Sequence, residues 1–316
     1  MTDSVADLVT RARAGEARAI ARLISMVEDG SSALPEVLAA LPGGGTAYVV
    51  GLTGSPGVGK STTTNALVTA YRERGQRVAV LAVDPSSPFT GGALLGDRIR
   101  MQEHAGDAGV YIRSMASRGQ LGGLAAATPQ AVRVLESAGF DVVLVETVGV
   151  GQSEVDVAAT ADATVVLLAP GMGDGIQAAK AGILEIGDVL CVNKADRDGA
   201  ANTVREVRHM LQMGGDRDGW QPVVVTSIAA QGDVGDLLGA LDDRRAWLAE
   251  DDHLARRRHA RARGEVLALA LGEVRGRLEE RLRGVHAADV DAVVSGAMSP
   301  YEAAARLVGD GDKMGS

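Results

Sequence analysis

Only four of the 316 residues are lysine, and two of those four stand in short motifs suited to handling a nucleotide. The first is Gly54-Ser55-Pro56-Gly57-Val58-Gly59-Lys60-Ser61, with the spacing G-x-x-x-x-G-K-[ST]. Its glycines let backbone N–H groups curl around a diphosphate, its lysine reaches the terminal phosphates, and its serine hydroxyl reaches a magnesium ion. Thr62 follows in a helix-like stretch, Thr62–Tyr71, whose amino end adds its dipole to the anion site. The second motif, Asn193-Lys194-Ala195-Asp196, comes after the apolar run Val189–Val192. Guanine shows N1–H and an exocyclic amine along one edge, and a single carboxylate can accept from both; adenine offers no such pair. Asp196 is therefore expected to select GTP and GDP over ATP. Ser227-Ile228-Ala229, after the run Val223–Thr226, is placed to offer a backbone amide to the guanine oxygen.

Phosphoryl transfer also needs carboxylates near the terminal phosphate. Asp84 ends the run Val78–Val83, and Glu146 ends Val142–Val145 and opens Glu146-Thr147-Val148-Gly149, where many nucleoside triphosphatases have Asp-x-x-Gly. With Lys60 these two acids form the expected catalytic set, and with Ser61 they are candidate magnesium ligands; a solvated turn acid is the plain alternative for each. Position alone does not decide between these readings for Asp97, in Gly96-Asp97-Arg98-Ile99-Arg100. Small GTPases carry glutamine directly after Asp-x-x-Gly to orient water. Val150 stands there in this chain and Gln152 two residues later, so unassisted hydrolysis is expected to be slow.

These residues must be held by a sheet. Tyr48–Leu52, Val78–Val83, Val142–Val145, Thr164–Leu168, Val189–Val192 and Val223–Thr226 are short, rich in β-branched residues, and separated by helical stretches. That pattern predicts an α/β P-loop fold with a mostly parallel central sheet covered by helices on both faces. Helical extensions flank it: residues 1–45, where Ile20, Leu23, Ile24 and Val27 form a stripe, and residues 251–316, with the nucleotide domain over 46–250. In the C-terminal region Leu267, Leu271, Val274, Leu278 and Leu282 line one helix face, suited either to packing on the same chain or to pairing with a second chain; another short helix follows Pro300. Arg256, Arg257, Arg258, Arg261 and Arg263 could contact an acidic partner but read better as a solvated face.

Composition narrows the function classes. A formal charge of −9 with 3% aromatic residues argues against nucleic acid, which needs a basic field and stacking platforms. No run approaches the roughly 18 apolar residues of a membrane span, and the start of the chain carries Asp3 and Asp7 rather than a signal peptide, so a cytoplasmic protein is expected. The one cysteine, Cys191, lies in an apolar run and reads as core.

Beyond the generic motifs, the chain resembles the cobalamin-linked GTPases associated with methylmalonyl-CoA mutase, of the SIMIBI class, once described as arginine/ornithine transport ATPases. The resemblance runs through Val83-Asp-Pro-Ser-Ser-Pro-Phe-Thr-Gly-Gly92, Leu95-Gly-Asp-Arg-Ile-Arg-Met101, Arg113-Ser-Met-Ala-Ser-Arg-Gly119 and Glu146-Thr-Val-Gly-Val-Gly-Gln-Ser-Glu154, covering residues 46–230. It implies a homodimer paired through C-terminal helices that guards an adenosylcobalamin-dependent acyl-CoA mutase, gating cofactor loading and release at the expense of GTP. It also implies that Asp97 joins Ser61, Asp84 and Glu146 around Mg²⁺, and that the glycine-rich stretch Pro170 to Lys180 passes nucleotide state to the mutase. The alternatives are a nickel-insertion GTPase and a transport-linked P-loop kinase. The first needs a Cys/His cluster, against one cysteine and five scattered histidines here; for the second, nothing in the chain supplies a substrate pocket or an anchor.

Overall fold

A computed structural model describes residues 4–41, 45–84, 102–104, 106–116, 123–147, 153–171, 186–213 and 219–309; at Asp84 it describes the backbone only. The chain divides into two compact units, residues 1–264 and 265–316.

The first unit is built on seven parallel strands: β1 (Tyr48–Thr53), β2 (Val78–Asp84), β3 (Val110–Ala116), β4 (Val142–Thr147), β5 (Ala163–Leu168), β6 (Val189–Asn193) and β7 (Val223–Ser227), in the order β3-β2-β4-β1-β5-β6-β7. Every residue of β1, β4, β5 and β6 is buried, which is why these strands are continuous apolar runs. Successive side chains point to opposite faces and feed separate cores. Val49, Leu81, Val143 and Val145 pack with α1 (Val5–Arg13), α2 (Ala17–Glu28), α3 (Leu34–Ala40) and α5 (Gly123–Ser137). Ile20, Leu23, Ile24 and Val27 of the N-terminal stripe belong to that same core. Val50, Leu52, Val80 and Leu144 face the other way, against α4 (Lys60–Glu73) and α8 (Gly235–Ala249). A third cluster joins Val166, Leu190 and Val192 to Val207 of α7 (Ala200–Met213). Val157 of α6 (Ser153–Thr160) lies against β1.

Strand β3 is absent from the sequence reading. It is an edge strand whose residues Val110–Ser114 are only half-buried, and Arg113 and Ser114 break the apolar run by which its neighbours are recognised. Arg113 is anchored by α2, donating to Ser25 Oγ at 3.0 Å and to Glu28.

The arginine-rich start of α9 (His253–Arg283) departs from the expected solvated face. Asp162, 1% exposed just before β5, accepts from the Val49 amide at 3.0 Å and pairs with Arg258 at 3.3 Å and Arg261 at 3.5 Å. Asp188, just before β6, accepts from the Thr164 amide at 2.8 Å and pairs with Arg244 at 2.9 Å and Arg257 at 3.1 Å. Arg257, Arg258 and Arg261 also donate to the carbonyls of Ala161, Ala47 and Thr160. Three of the five arginines thus clamp the amino edge of the sheet, while Arg256 and Arg263 stay exposed as expected. A cluster of like charges on a helix reads as solvated unless the acids it meets are known, and Asp162 and Asp188 lie far off in sequence.

The second unit holds the rest of α9, then α10 (Ala287–Val294), which the sequence reading did not separate, and α11 (Pro300–Gly309). Leu267 and Leu271 are 57% and 60% exposed, and Val274, Val294 and Tyr301 are exposed as well. Among the described residues no helix is long and apolar enough to cross a membrane.

Removing one partner of a buried ion pair strands the other charge, at a cost of about 3 kcal/mol or more. Asp162→Ala should lower unfolding stability by about that amount in denaturant titration, whereas Arg256→Ala should change it by less than about 0.5 kcal/mol. Equal, small effects would show that the clamp at the amino edge contributes nothing to stability.

Candidate nucleotide-binding site

The carboxyl edge of the sheet gathers both motifs. β1 ends at Thr53, the loop Gly54–Gly59 follows, and α4 starts at Lys60. Gly54 and Gly59 have φ of +141° and +99°, in the region that favours glycine. Each also sits where a side chain has no room: a Cβ on Gly54 would lie 2.3 Å from the Leu167 carbonyl oxygen, and one on Gly59 would lie 2.4 Å from Asn193 Nδ2.

Side-chain donors take up the loop's carbonyls. Lys60 Nζ donates to Gly54 O at 2.6 Å and Ser55 O at 3.1 Å, Lys194 Nζ to Gly57 O at 2.6 Å, and Asn193 Nδ2 to Val58 O at 2.9 Å. An anion therefore meets a loop in which four carbonyls are already engaged. The first turn of α4, from Lys60 through Ser61 and exposed Thr62, adds N–H groups without intrahelical partners and the positive end of the helix dipole. Pro56 and Gly57 are exposed at the loop tip, while Val58 is buried beneath it.

Glu146 is brought to the same place by strand register, since β4 lies between β1 and β2 with Leu52 and Ala82 opposite it. It is 4% exposed, and Ser61 Oγ donates to its Oε1 at 2.6 Å. Thr64, a residue the sequence reading did not single out, donates to the other carboxylate oxygen, Oε2, at 2.8 Å. The signal for Thr64 was its spacing, three residues beyond Ser61 and so on the same helix face. The backbone of Asp84 closes β2, one residue past the Val83–Thr147 register pair. The Asp84 side chain, Asp97, Gly149, Val150, Gln152, Gly173, Gly175 and Lys180 lie outside the described residues. Oxygen donors such as Ser61 and Glu146 suit a hard divalent cation like Mg²⁺.

On the base side, Asn193 Oδ1 accepts from Ser227 Oγ and from the Ala229 amide, both at 3.1 Å, and the Ala195 amide donates to Ser227 O at 3.1 Å. The Ile228 amide donates to Asp233 O at 2.9 Å. Ser227 and Ala229 thus hold Asn193 and its loop. Lys194 takes φ +59°, a turn that carries the chain on to exposed Asp196. Cys191 lies beneath, 3.2 Å from Ser227 Oγ, and burial pushes its thiol up to about 12, which keeps it protonated and unreactive.

A glycine loop between strand and helix, joined to an Asn-Lys-x-Asp loop on the same edge of a parallel sheet, defines a guanine-nucleotide-binding P-loop protein. The chain belongs to the family described as Methylmalonyl Co-A mutase-associated GTPase MeaB, whose model matches residues 20–283. A putative GTPase of Pyrococcus abyssi is 44% identical over 312 residues, covering 94% of this chain and 94% of that protein. The mitochondrial methylmalonic aciduria type A homolog of Caenorhabditis elegans is 42% identical over 217 residues, 67% of this chain and 54% of that protein. A solved structure described as an LAO/AO transport system kinase matches with a TM-score of 0.71 at 27% identity, covering 96% of each chain.

If the Asp196 carboxylate accepts from both guanine donors, as its motif leads one to expect, Asp196→Asn should lower GDP affinity on the order of a hundredfold. Preference should pass to xanthosine nucleotides, whose 2-oxo group accepts from the new amide. Competition of GTP, ATP and XTP against a fluorescent GDP measures both; a wild type that binds ATP and GTP equally would remove Asp196 from base reading.

Proposed function

We propose that this chain binds GTP and GDP with Mg²⁺, hydrolyses GTP, and works as a homodimer in the cytoplasm on an adenosylcobalamin-dependent acyl-CoA mutase. By this reading it gates cofactor loading and release. The observation that carries the hydrolytic part is the convergence of Lys60, Ser61 and Glu146 at one loop. Lys60 binds the β- and γ-phosphates, Ser61 and Glu146 hold the ion with Asp84 and Asp97, and Asp196 fixes the base. Mg²⁺, when bound, supplies positive charge to the phosphate oxygens. Preorganised charges of this kind lower the barrier because they need no rearrangement as negative charge shifts.

The partner rests on the family, whose description names methylmalonyl-CoA mutase. A nickel-insertion role is the poorer reading, because the one cysteine is buried and its thiol is held protonated. A transport-linked kinase needs a second substrate site, and among the described residues no feature of the nucleotide loops suggests one.

Two measurements test the proposal. Addition of purified methylmalonyl-CoA mutase should raise the GTP hydrolysis rate, as expected where Val150 stands in place of a water-orienting glutamine; a rate indifferent to mutase at every concentration overturns the partner. For assembly, the exposed Leu267, Leu271 and Val274 are the apolar face a second copy would cover. Replacing Leu267 and Leu271 together by Asp should shift sedimentation from dimer to monomer while nucleotide binding persists. A wild type that sediments as a monomer contradicts the homodimer.

A further inference from the structure

We infer that Thr64 is a positioning residue for Glu146, setting which carboxylate oxygen is presented to Ser61 and to the metal-bound nucleotide. The inference rests on the proposed reading in which Ser61 and Glu146 serve Mg²⁺.

The carboxylate of Glu146 lies between two hydroxyls, Ser61 Oγ at 2.6 Å on Oε1 and Thr64 Oγ1 at 2.8 Å on Oε2. Both come from one face of α4, at i and i+3. The final torsion of a glutamate is broad and nearly two-fold, so a carboxylate held through one oxygen can still swing about its last bond. Holding the second oxygen fixes its plane. Thr64 is fully buried and Glu146 nearly so, which leaves this anchoring to protein groups rather than bulk water.

Thr64 has one hydroxyl proton and two acceptors in reach, Glu146 Oε2 at 2.8 Å and the Lys60 carbonyl at 3.1 Å. The shorter contact, to an ionised acceptor, is the stronger. The carbonyl one helical turn back is the usual partner of a helical threonine and remains as the reserve. The hydroxyl is thus satisfied with or without Glu146, so helix stability does not require the bond to the carboxylate. A threonine there for packing alone would be equalled by valine, which has the same shape and lacks the donor.

The test follows release of a fluorescent GDP as Mg²⁺ is titrated, for wild type, Thr64→Val and Thr64→Ser. Thr64→Val should need about tenfold more Mg²⁺ to retain GDP, the loss of one hydrogen bond to a charged group. Its release rate in EDTA should match wild type, and Thr64→Ser should restore the Mg²⁺ response. Should the valine variant not fold, Thr64→Cys, close in size and a weak donor, should show the same shift. Thr64→Val with a wild-type Mg²⁺ titration overturns the inference while leaving the proposed function standing. A wild type that holds no GDP, or whose release ignores Mg²⁺, overturns the proposed function and this role with it.

Discussion

The contact between the phosphate loop and the base-reading loop is the constraint on which the carboxyl edge depends. Asn193 Nδ2 reaches Val58 O at 2.9 Å, a distance available only because Gly59 has no Cβ, which would stand 2.4 Å from that nitrogen. β5 lies between the two loops' strands, β1 and β6, and Gly54 presses against it with the same kind of close approach. Two loops about 140 residues apart in sequence are thereby locked edge to edge. A nucleotide bridging them meets a separation already set, and the ordering cost is met in folding rather than in binding.

The other end of the sheet secures what the loops need. β1, β5 and β6 are the strands that carry or support the site, and their amino ends are tied by Asp162 and Asp188 to backbone amides and to arginines of α8 and α9. Arg244 pairs with Asp188 while lying 4.5 Å from the Trp247 ring and 5.0 Å from that of Trp220. Buried carboxylates here are paired from several sides, the condition under which burying charge is tolerated. The strands are therefore fixed at both ends, by ion pairs at one edge and by loop contacts at the other.

Much of this was legible in the sequence because it follows from local rules. Glycine spacing announced the phosphate loop, and apolar runs announced six of the seven strands. β3 escaped because an edge strand needs only half its surface covered, so Tyr111, Arg113 and Ser114 leave no continuous run. The clamp of Arg257, Arg258 and Arg261 escaped for a different reason. An arginine's partner is set by tertiary placement, and Asp162 lies 96 residues from Arg258. Ser227 shows an intermediate case: its nearness to the base loop was readable from its strand end, but its bond to Asn193 depends on the β6–β7 register.

The hydrogen bonds also account for the presence of two lysines at this site in a chain that has only four. Lys60 and Lys194 both donate to carbonyls of one six-residue loop, from opposite motifs. Those donors offset the dipoles of the Gly54, Ser55 and Gly57 carbonyls. With them, the same backbone offers a field favourable to anions. An ammonium can bond a carbonyl and a phosphate together, since it has three protons to give. Arginine's planar fork fixes its donors in one plane, which leaves it less free than an ammonium to serve acceptors in different directions. A chain with 28 arginines, the remainder of its 32 basic residues, thus keeps lysine at the two positions where a compact, rotatable charge is required.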